Sequence, residues 1–342
     1  MRPGPAAGEA ALDPAESAQR LAPWLGREAR AGVVLAVSGG PDSTALMGCA
    51  ASLPPAVPVL VATVDHGLRP ESAAEADGVA RAAQAHGLPH RRIAWLGDKP
   101  RTGLQAAARA ARYRLLVDLA REVGAGAILT AHTLDDQAET VLMRLCAGSG
   151  PAGLGGIDPV RDLGGIALVR PFLDIPKARL VATCAARGWA FATDPGNRDP
   201  RFARARLRRV MPLLAAEGLT PARLGRLAER TRRNEAALAA AADAALRDLT
   251  RPPALPSAVA LDAPGLAALP QAVALRVTVR AIAAAAGAGA PAVRLERLEA
   301  ALLGRLLPAA AEGRALRLTL GGALITVSQG LLTLRAEPPR RR

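Results

Sequence analysis

Residues 31–50 read AGVVLAVSGGPDSTALMGCA, and the junction inside this stretch sets the architecture. Ala31 to Val37 is a short apolar run rich in β-branched residues, which predicts a strand buried on both faces, and a helix is predicted to run on through Leu46. The alternation then repeats. VPVLVATV (57–64) precedes a helical pattern over about 73–85, HRRIAWL (90–96) precedes the amphipathic run Leu104 to Val123, and GAILTA (126–131) precedes Leu134 to Leu145. Apolar strands alternating with helices describe a parallel sheet covered on both sides, an α/β domain.

The chain has 342 residues, half of them hydrophobic, which suffices for two compact domains with cores. Forty-four Lys plus Arg against thirty Asp plus Glu give +14, a balance that favours polyanionic partners, nucleic acid first. Cys49, Cys146 and Cys184 are widely spaced and form no CxxC pair, which argues against a disulfide scaffold, a zinc knuckle or an iron–sulfur site and fits a reducing cytoplasm. Apolar runs are broken by Pro, Gly or charge before they could span a bilayer, so neither export nor membrane insertion is expected.

Beyond the alternating region, Gly148 to Gly165 holds seven glycines and reads as a long loop, which inside a compact domain is either functional or disordered. A short strand near Ile166 to Arg170 and a helix from Pro176 to Arg187 follow. Residues 198–233 then contain eleven arginines against Asp199, Glu217 and Glu229, which is +8 of the +14. An Ala-rich helix from Glu235 to Leu249, a linker at Pro252 to Pro256, and helices near 269–285 and 291–306 come next. ALRLTL, ALITVSQ and LLTLR predict a small closing antiparallel sheet. The expected division is an N-terminal extension (1–30), a nucleotide-binding catalytic domain (31–217) and a helical and small-β region for RNA (218–342).

The chemistry concentrates in SGGPDS. Ligands of open parallel sheets bind at the carboxyl ends of strands, where a Gly-rich turn aims free backbone N–H groups and a helix dipole at an anion. Gly39 and Gly40 permit close approach, Ser38 and Ser43 add hydroxyls, and pyrophosphate fits such a cradle. Asp42 would repel bare phosphate, so it implies a bridging Mg²⁺. The bland alternative is a tight turn whose Asp caps the helix. No Walker A or GxGxxG pattern is present, which disfavours kinase, GTPase and Rossmann readings.

SGGPDS, including Pro41, resembles the SGGxDS motif of the N-type ATP pyrophosphatases, the PP-loop enzymes. DHGLR (65–69), AARY (110–113), AHTLDDQAETVLMRL (131–145), GPAGLGGI, RPFL (170–173) and DPGNRDPRFARARLR (194–208) further resemble successive signatures of the tRNA(Ile)-lysidine synthetases. The resemblance spans about 33–216. It implies ATP as cofactor and, as partners, a tRNA(Ile) with a CAU anticodon and free L-lysine. The implied reaction adenylates the wobble cytidine, releases pyrophosphate and couples lysine at carbon 2 with release of AMP. A homodimer is compatible with it.

Around that loop, Asp65 and His66 end the second strand, where they could position adenine or ribose or help to hold metal. His132 and Asp136 are four apart and share one helical face, with Asp135 and Glu139 close by. Acids near a helix N-terminus gain from its dipole, but that does not account for the histidine. Asp136 could deprotonate the amine or bind Mg²⁺, and His132 could contact ATP phosphate or the base. The resemblance makes Arg112 a candidate phosphate contact. Arg201, Arg204, Arg206, Arg208 and Arg209 are spaced to track an RNA backbone. Ala205 stands where the family pattern has Asn. With aromatics at 2%, base stacking would rest on arginine planes or on Trp189 and Phe202. The rival readings are a tRNA thiolase, which would need a sulfur-carrying cysteine pair or cluster ligands, a small-molecule amide-forming synthetase, which the arginine-rich segment disfavours, and an inactive tRNA-binding module.

Overall fold

A computed structural model describes residues 10–27, 31–67, 72–97, 99–100, 102–192, 201, 203–253, 255, 258–287 and 293–338. Arg69, the DPGN turn and Phe202 lie outside them. Two compact units are formed, one of residues 1–147 and 155–228, the other of 148–154 and 229–342.

The first unit holds a six-stranded sheet ordered β3-β2-β1-β4-β6-β5. Its strands are β1 (Gly32–Ala36), β2 (Val59–Asp65), β3 (His90–Ala94), β4 (Ala125–Thr130), β5 (Val160–Asp162) and β6 (Ala167–Val169). All pairs are parallel except β5 with β6. Helices α2 (Pro41–Ala51), α3 (Ser72–Ala85), α4 (Leu104–Glu122), α5 (Leu134–Cys146) and α7 (Lys177–Ala186) connect or follow the strands. One core layer contains Val33, Leu35, Leu46, Val61 and Leu129, and the other contains Val34, Leu116, Ile128 and Leu168. Alternate residues of β1 therefore face opposite layers, which is why the strand reads as continuously apolar.

Two expectations change in this unit. The segment 1–30 is more than an extension: α1 (Pro14–Leu25) buries Leu21 and Leu25 in the first core layer, and Asp13 caps it through Ala15 N at 2.7 Å. The stretch 148–165, expected as one loop, contains α6 (Pro151–Leu154) and β5. All three residues of β5 are exposed, so no apolar alternation marks it. Its turn onto β6 uses Gly164 and Gly165 at φ +68° and +90°, with Asp162 accepting hydrogen bonds from both backbone N–H groups.

Helix α8 (Ala203–Ala216) and the 29-residue α9 (Pro221–Leu249) follow. The unit boundary falls inside α9, at Ala228/Glu229, rather than near 217. The second unit has a five-stranded antiparallel sheet, β7-β8-β11-β10-β9. The three expected strands β9 (Leu316–Leu320), β10 (Ala323–Ser328) and β11 (Leu331–Ala336) are joined by β8 (Val259–Asp262) and β7 (Thr250–Arg251). Val277, Ile282, Leu302, Ile325 and Leu334 share its core. Helices α10 (Ala263–Ala268), α11 (Gln271–Ala286), α12 (Leu295–Ala301) and α13 (Leu307–Ala311) complete it, with a π-helical turn at Leu302–Leu306. Among the described residues no helix is long and apolar enough to cross a membrane.

Candidate active site

The carboxyl ends of β1, β2, β4 and β6 lie along one sheet edge because these strands run parallel. The loop leaving β1 is SGGPDS. Gly39 takes φ +84°, a conformation other residues rarely adopt, and a Cβ there would press on Val79 Cγ2 at 3.2 Å. Gly40 is the N-cap of α2 and offers no side chain to the first turn. Asp42 therefore does not cap the helix, and the N-terminal amide groups of α2 are left without a capping side chain. Ser43 Oγ accepts from Ser38 N at 3.2 Å and donates to Gly40 O at 3.1 Å, which braces the loop. Behind it, Ala192 N donates to Gly39 O at 2.8 Å, and a Cβ at Gly48 would lie 2.5–2.6 Å from the Trp189 ring. Trp189 is thus wedged against α2, half-buried.

Asp42 pairs with the ammonium of Lys177, while its other oxygen, Oδ1, is buried without a partner. Burial raises its pKa in spite of Lys177, and the nearby Asp136 and Asp135 carboxylates raise it further. Asp65 is different. Its Oδ1 accepts from Gly67 N at 2.8 Å and its Oδ2 from Arg92 at 2.5 Å, bonds that hold the carboxyl down at about 2. Both oxygens are engaged within the protein, so Asp65 shapes the turn after β2. Next to it, burial and then the Arg112 charge push the His66 imidazole below its usual range. Its Nδ1 is buried without a partner and its ring meets Trp95 edge-on at 6.1 Å.

At the end of β4, His132 Nδ1 lies 2.9 Å from Thr130 Oγ1, which donates to Val169 O at 3.3 Å. With the hydroxyl donating there, Nδ1 carries the proton and Nε2 presents a lone pair. Burial, reinforced by Arg112, Arg170 and Arg109, drives His132 down to about 3, so it is neutral. Thr133 caps α5 and forms a reciprocal box with Asp136, whose Oδ2 accepts from Thr133 N at 2.9 Å. Burial opposes the charged form of Asp136, while the hydrogen bonds from Thr133 and the charge of Arg204 favour it, and the carboxylate is ionised.

Arg112 stacks 5.0 Å and Arg109 5.1 Å from the centre of the Tyr113 ring. Arg112 Nε is buried and unpartnered, as is Nε of Arg170, which follows β6 and donates through NH1 to Asp158 O at 2.5 Å. Three guanidinium groups, of Arg109, Arg112 and Arg170, thus lie close enough to act on the neutral His132, as does the Asp136 carboxylate.

The arginine helix departs from the expected simple phosphate track. Arg208 chelates the buried Glu139 at 2.5 and 3.2 Å, and Arg204 lies 3.9 Å from the same carboxylate, so these two turn inward onto α5. Ala205 is buried. Arg206 donates to Arg201 O at 2.9 Å, and Arg201, Arg206 and Arg209 are exposed.

Sequence reasoning did not single out Lys177, Arg109, Arg170 or Gln137. Lys177 had a signal, being one of two lysines in the chain, and Arg109 sits one helical turn before Arg112. Gln137 holds the Gly-rich stretch: its side chain donates to Ile157 O at 3.0 Å and accepts from Ile157 N at 2.5 Å, beside Gly156 at φ +67°.

Comparison with known proteins gives consistent results. Residues 14–214 match the PP-loop domain family. A tRNA(Ile)-lysidine synthase of Methylobacterium nodulans is 74% identical over 330 residues, covering 96% of this chain and 97% of that one. Another, of Rhodopseudomonas palustris, is 47% identical with 97% of each chain covered. Among solved structures, the U34-tRNA thiolase of Methanococcus maripaludis with its 4Fe-4S cluster superposes with a TM-score of 0.53 at 17% identity, over 63% of this chain and 78% of that one. That last likeness speaks for the fold alone.

Proposed function

The chain belongs to the tRNA(Ile)-lysidine synthases, PP-loop enzymes that use ATP to modify tRNA, and from this premise we propose how its residues divide the reaction. The substrates are ATP, free lysine and a tRNA(Ile) with a CAU anticodon. The carbon-2 oxygen of the wobble cytidine attacks the α-phosphate, the bond to the β-phosphate oxygen breaks, and pyrophosphate leaves. The ε-amine of lysine then attacks carbon 2, and the oxygen departs with AMP.

The uncapped start of α2, with Ser38 and the backbone of Gly39 and Gly40, receives the leaving pyrophosphate. Asp42 fits a divalent cation: its Oδ1 is a buried oxygen without a partner, and Mg²⁺ commonly takes one or two protein carboxylates and completes its shell with phosphate and water. Mg²⁺ held by Asp42 would supply charge neutralisation at the pyrophosphate. Asp136, ionised and four residues from His132, attracts the lysine ammonium and accepts its proton on the way to solvent. His132 offers the Nε2 lone pair to a substrate N–H or O–H. Arg112, Arg109 and Arg170 flank the negative charge that grows during adenylation.

The observation that carries this reading is the unpartnered Asp42 oxygen beside an uncapped helix start, on the sheet edge that also holds His132 and Asp136. Thiolase chemistry is disfavoured by the thiols themselves: burial pushes Cys184 up to about 12 and also raises Cys49, the opposite of an activated sulfur nucleophile. The test is incubation with ATP, labelled lysine and an unmodified CAU-anticodon tRNA(Ile) transcript. Label should enter the RNA with release of pyrophosphate. Binding of the transcript without pyrophosphate release or label transfer would overturn the reading.

A further inference from the structure

Lys177 is absent from every role assigned above, yet it touches the residue on which the PP-loop turns. Its backbone is pinned, because Lys177 N donates to Asp135 Oδ2 at 2.8 Å at the first residue of α7. Its side chain is 41% exposed and reaches across to Asp42, contributed by α2, whose side chain is 21% exposed. The backbone is anchored, and the ammonium it carries sits in a partly exposed ion pair.

The charge around that contact is crowded. Asp135 and Asp136 act electrostatically on Asp42, Lys177 is its direct ion-pair partner, and Arg208, itself paired with Glu139, acts on Asp42 and Asp136 from further off. One Asp42 oxygen is served by Lys177 and the other by nothing. A buried carboxylate satisfied on one side only is a costly arrangement unless a second cation completes it. Residue type matters too. Of 44 basic residues only Lys99 and Lys177 are lysines. A guanidinium would chelate both Asp42 oxygens in a planar fork, whereas an ammonium is a compact charge on a flexible stem that engages one and can let go.

We propose that Lys177 is a positioning residue of the PP-loop: its ammonium holds Asp42 as a resident counter-ion in the unloaded site and yields the carboxylate to a divalent cation. The inference rests on the reading of Asp42 as the residue that holds Mg²⁺. Lys177 keeps the loop formed between turnovers and sets how much cation is needed to load it, so monovalent and divalent charge compete for one carboxylate.

The test uses the full-length protein without nucleotide and Mn²⁺ alone as the probe, followed by electron paramagnetic resonance. Lys177→Met should tighten Mn²⁺ binding roughly tenfold, since one competing unit charge near the site is removed. Lys177→Arg, which keeps the charge and adds a chelating fork, should bind Mn²⁺ no better than the wild type. Unchanged or weaker binding by a folded Lys177→Met protein would overturn the inference. Asp42→Asn separates the two claims: if it leaves Mn²⁺ affinity untouched, the metal reading falls and this inference with it. A measurement on the wild type covers the case of a variant that does not fold. With only two lysines, ¹⁵N-lysine labelling gives two ammonium signals, assigned with Lys99→Arg. The Lys177 signal should move when Mg²⁺ is added, and a signal that stays in place refutes the exchange.

Discussion

Arg208 Nε of α8 lies 2.5 Å from Oε1 of Glu139 on α5, whose side chain is 3% exposed. The helix carrying Asp136 is thereby joined to the arginine-rich helix through a pair that is dry on the acid side. Removing one partner leaves an uncompensated buried carboxylate. Arg208→Met should cost about 2–3 kcal/mol in urea denaturation, at the modest end for a buried pair because Arg208 itself is partly exposed. The double variant Glu139→Gln, Arg208→Met should be more stable than Arg208→Met alone.

Arg209 is exposed on the same helix and should behave in the opposite way. Arg209→Ala should leave stability within about 0.5 kcal/mol of the wild type. It should weaken tRNA binding and lower the slope of log affinity against log salt by about one, the signature of one lost phosphate contact. Filter binding between 50 and 200 mM salt measures both effects, with no change in slope as the contrary result.

Asp42→Ala should reduce lysidine formation by about 10²–10³-fold, the scale of losing one charge-stabilising group in a closed site. tRNA affinity should hold. A parallel loss of binding would place Asp42 in the RNA contact instead.

His132 gives a pH prediction with a defined sign. Its folded value of about 3 lies below the ordinary imidazole value of about 6.5, so between them the unfolded chain binds a proton that the folded protein does not. Stability should therefore fall as pH drops through this window, with this residue adding up to about 1.4 kcal/mol per pH unit to the slope. Urea midpoints measured between pH 6.5 and 4.5 should show a shallower slope for His132→Asn.

At Gly48 a Cβ would sit 2.5–2.6 Å from the Trp189 ring. Gly48→Ala should displace that ring from α2 and destabilise the protein by about 1–3 kcal/mol, the cost of overpacking a core. Calorimetry and ATP titration on the one variant would show whether loop geometry follows the ring.

The sheet and the PP-loop were legible because β1, β2 and β4 are buried on both faces and glycine marks the turn at Gly39. What escaped has physical reasons. β5 is exposed on both faces, and β7 is two residues long, so neither carries a periodic signal. Arg204 and Arg208 read as surface charge because spacing places side chains on a helix face without saying what that face meets. Here it meets Glu139, 65 or more residues away in sequence. Asp65 ends a strand and Asp42 opens a helix on the same sheet edge, and only their partners separate a saturated turn carboxylate from one with an open oxygen.

The assignment of Gly148–Leu154 to the same compact unit as residues 229–342 has a practical corollary. A scission at the 228/229 boundary does not yield an intact carboxy-terminal unit, because that heptapeptide stays behind on the other piece. Leu295, whose side chain fills the space a side chain at Gly150 would need, would then be stripped of its cover. Expression of residues 229–342 in isolation should thus give a sticky polypeptide, and grafting this portion onto another catalytic body would require carrying the heptapeptide along.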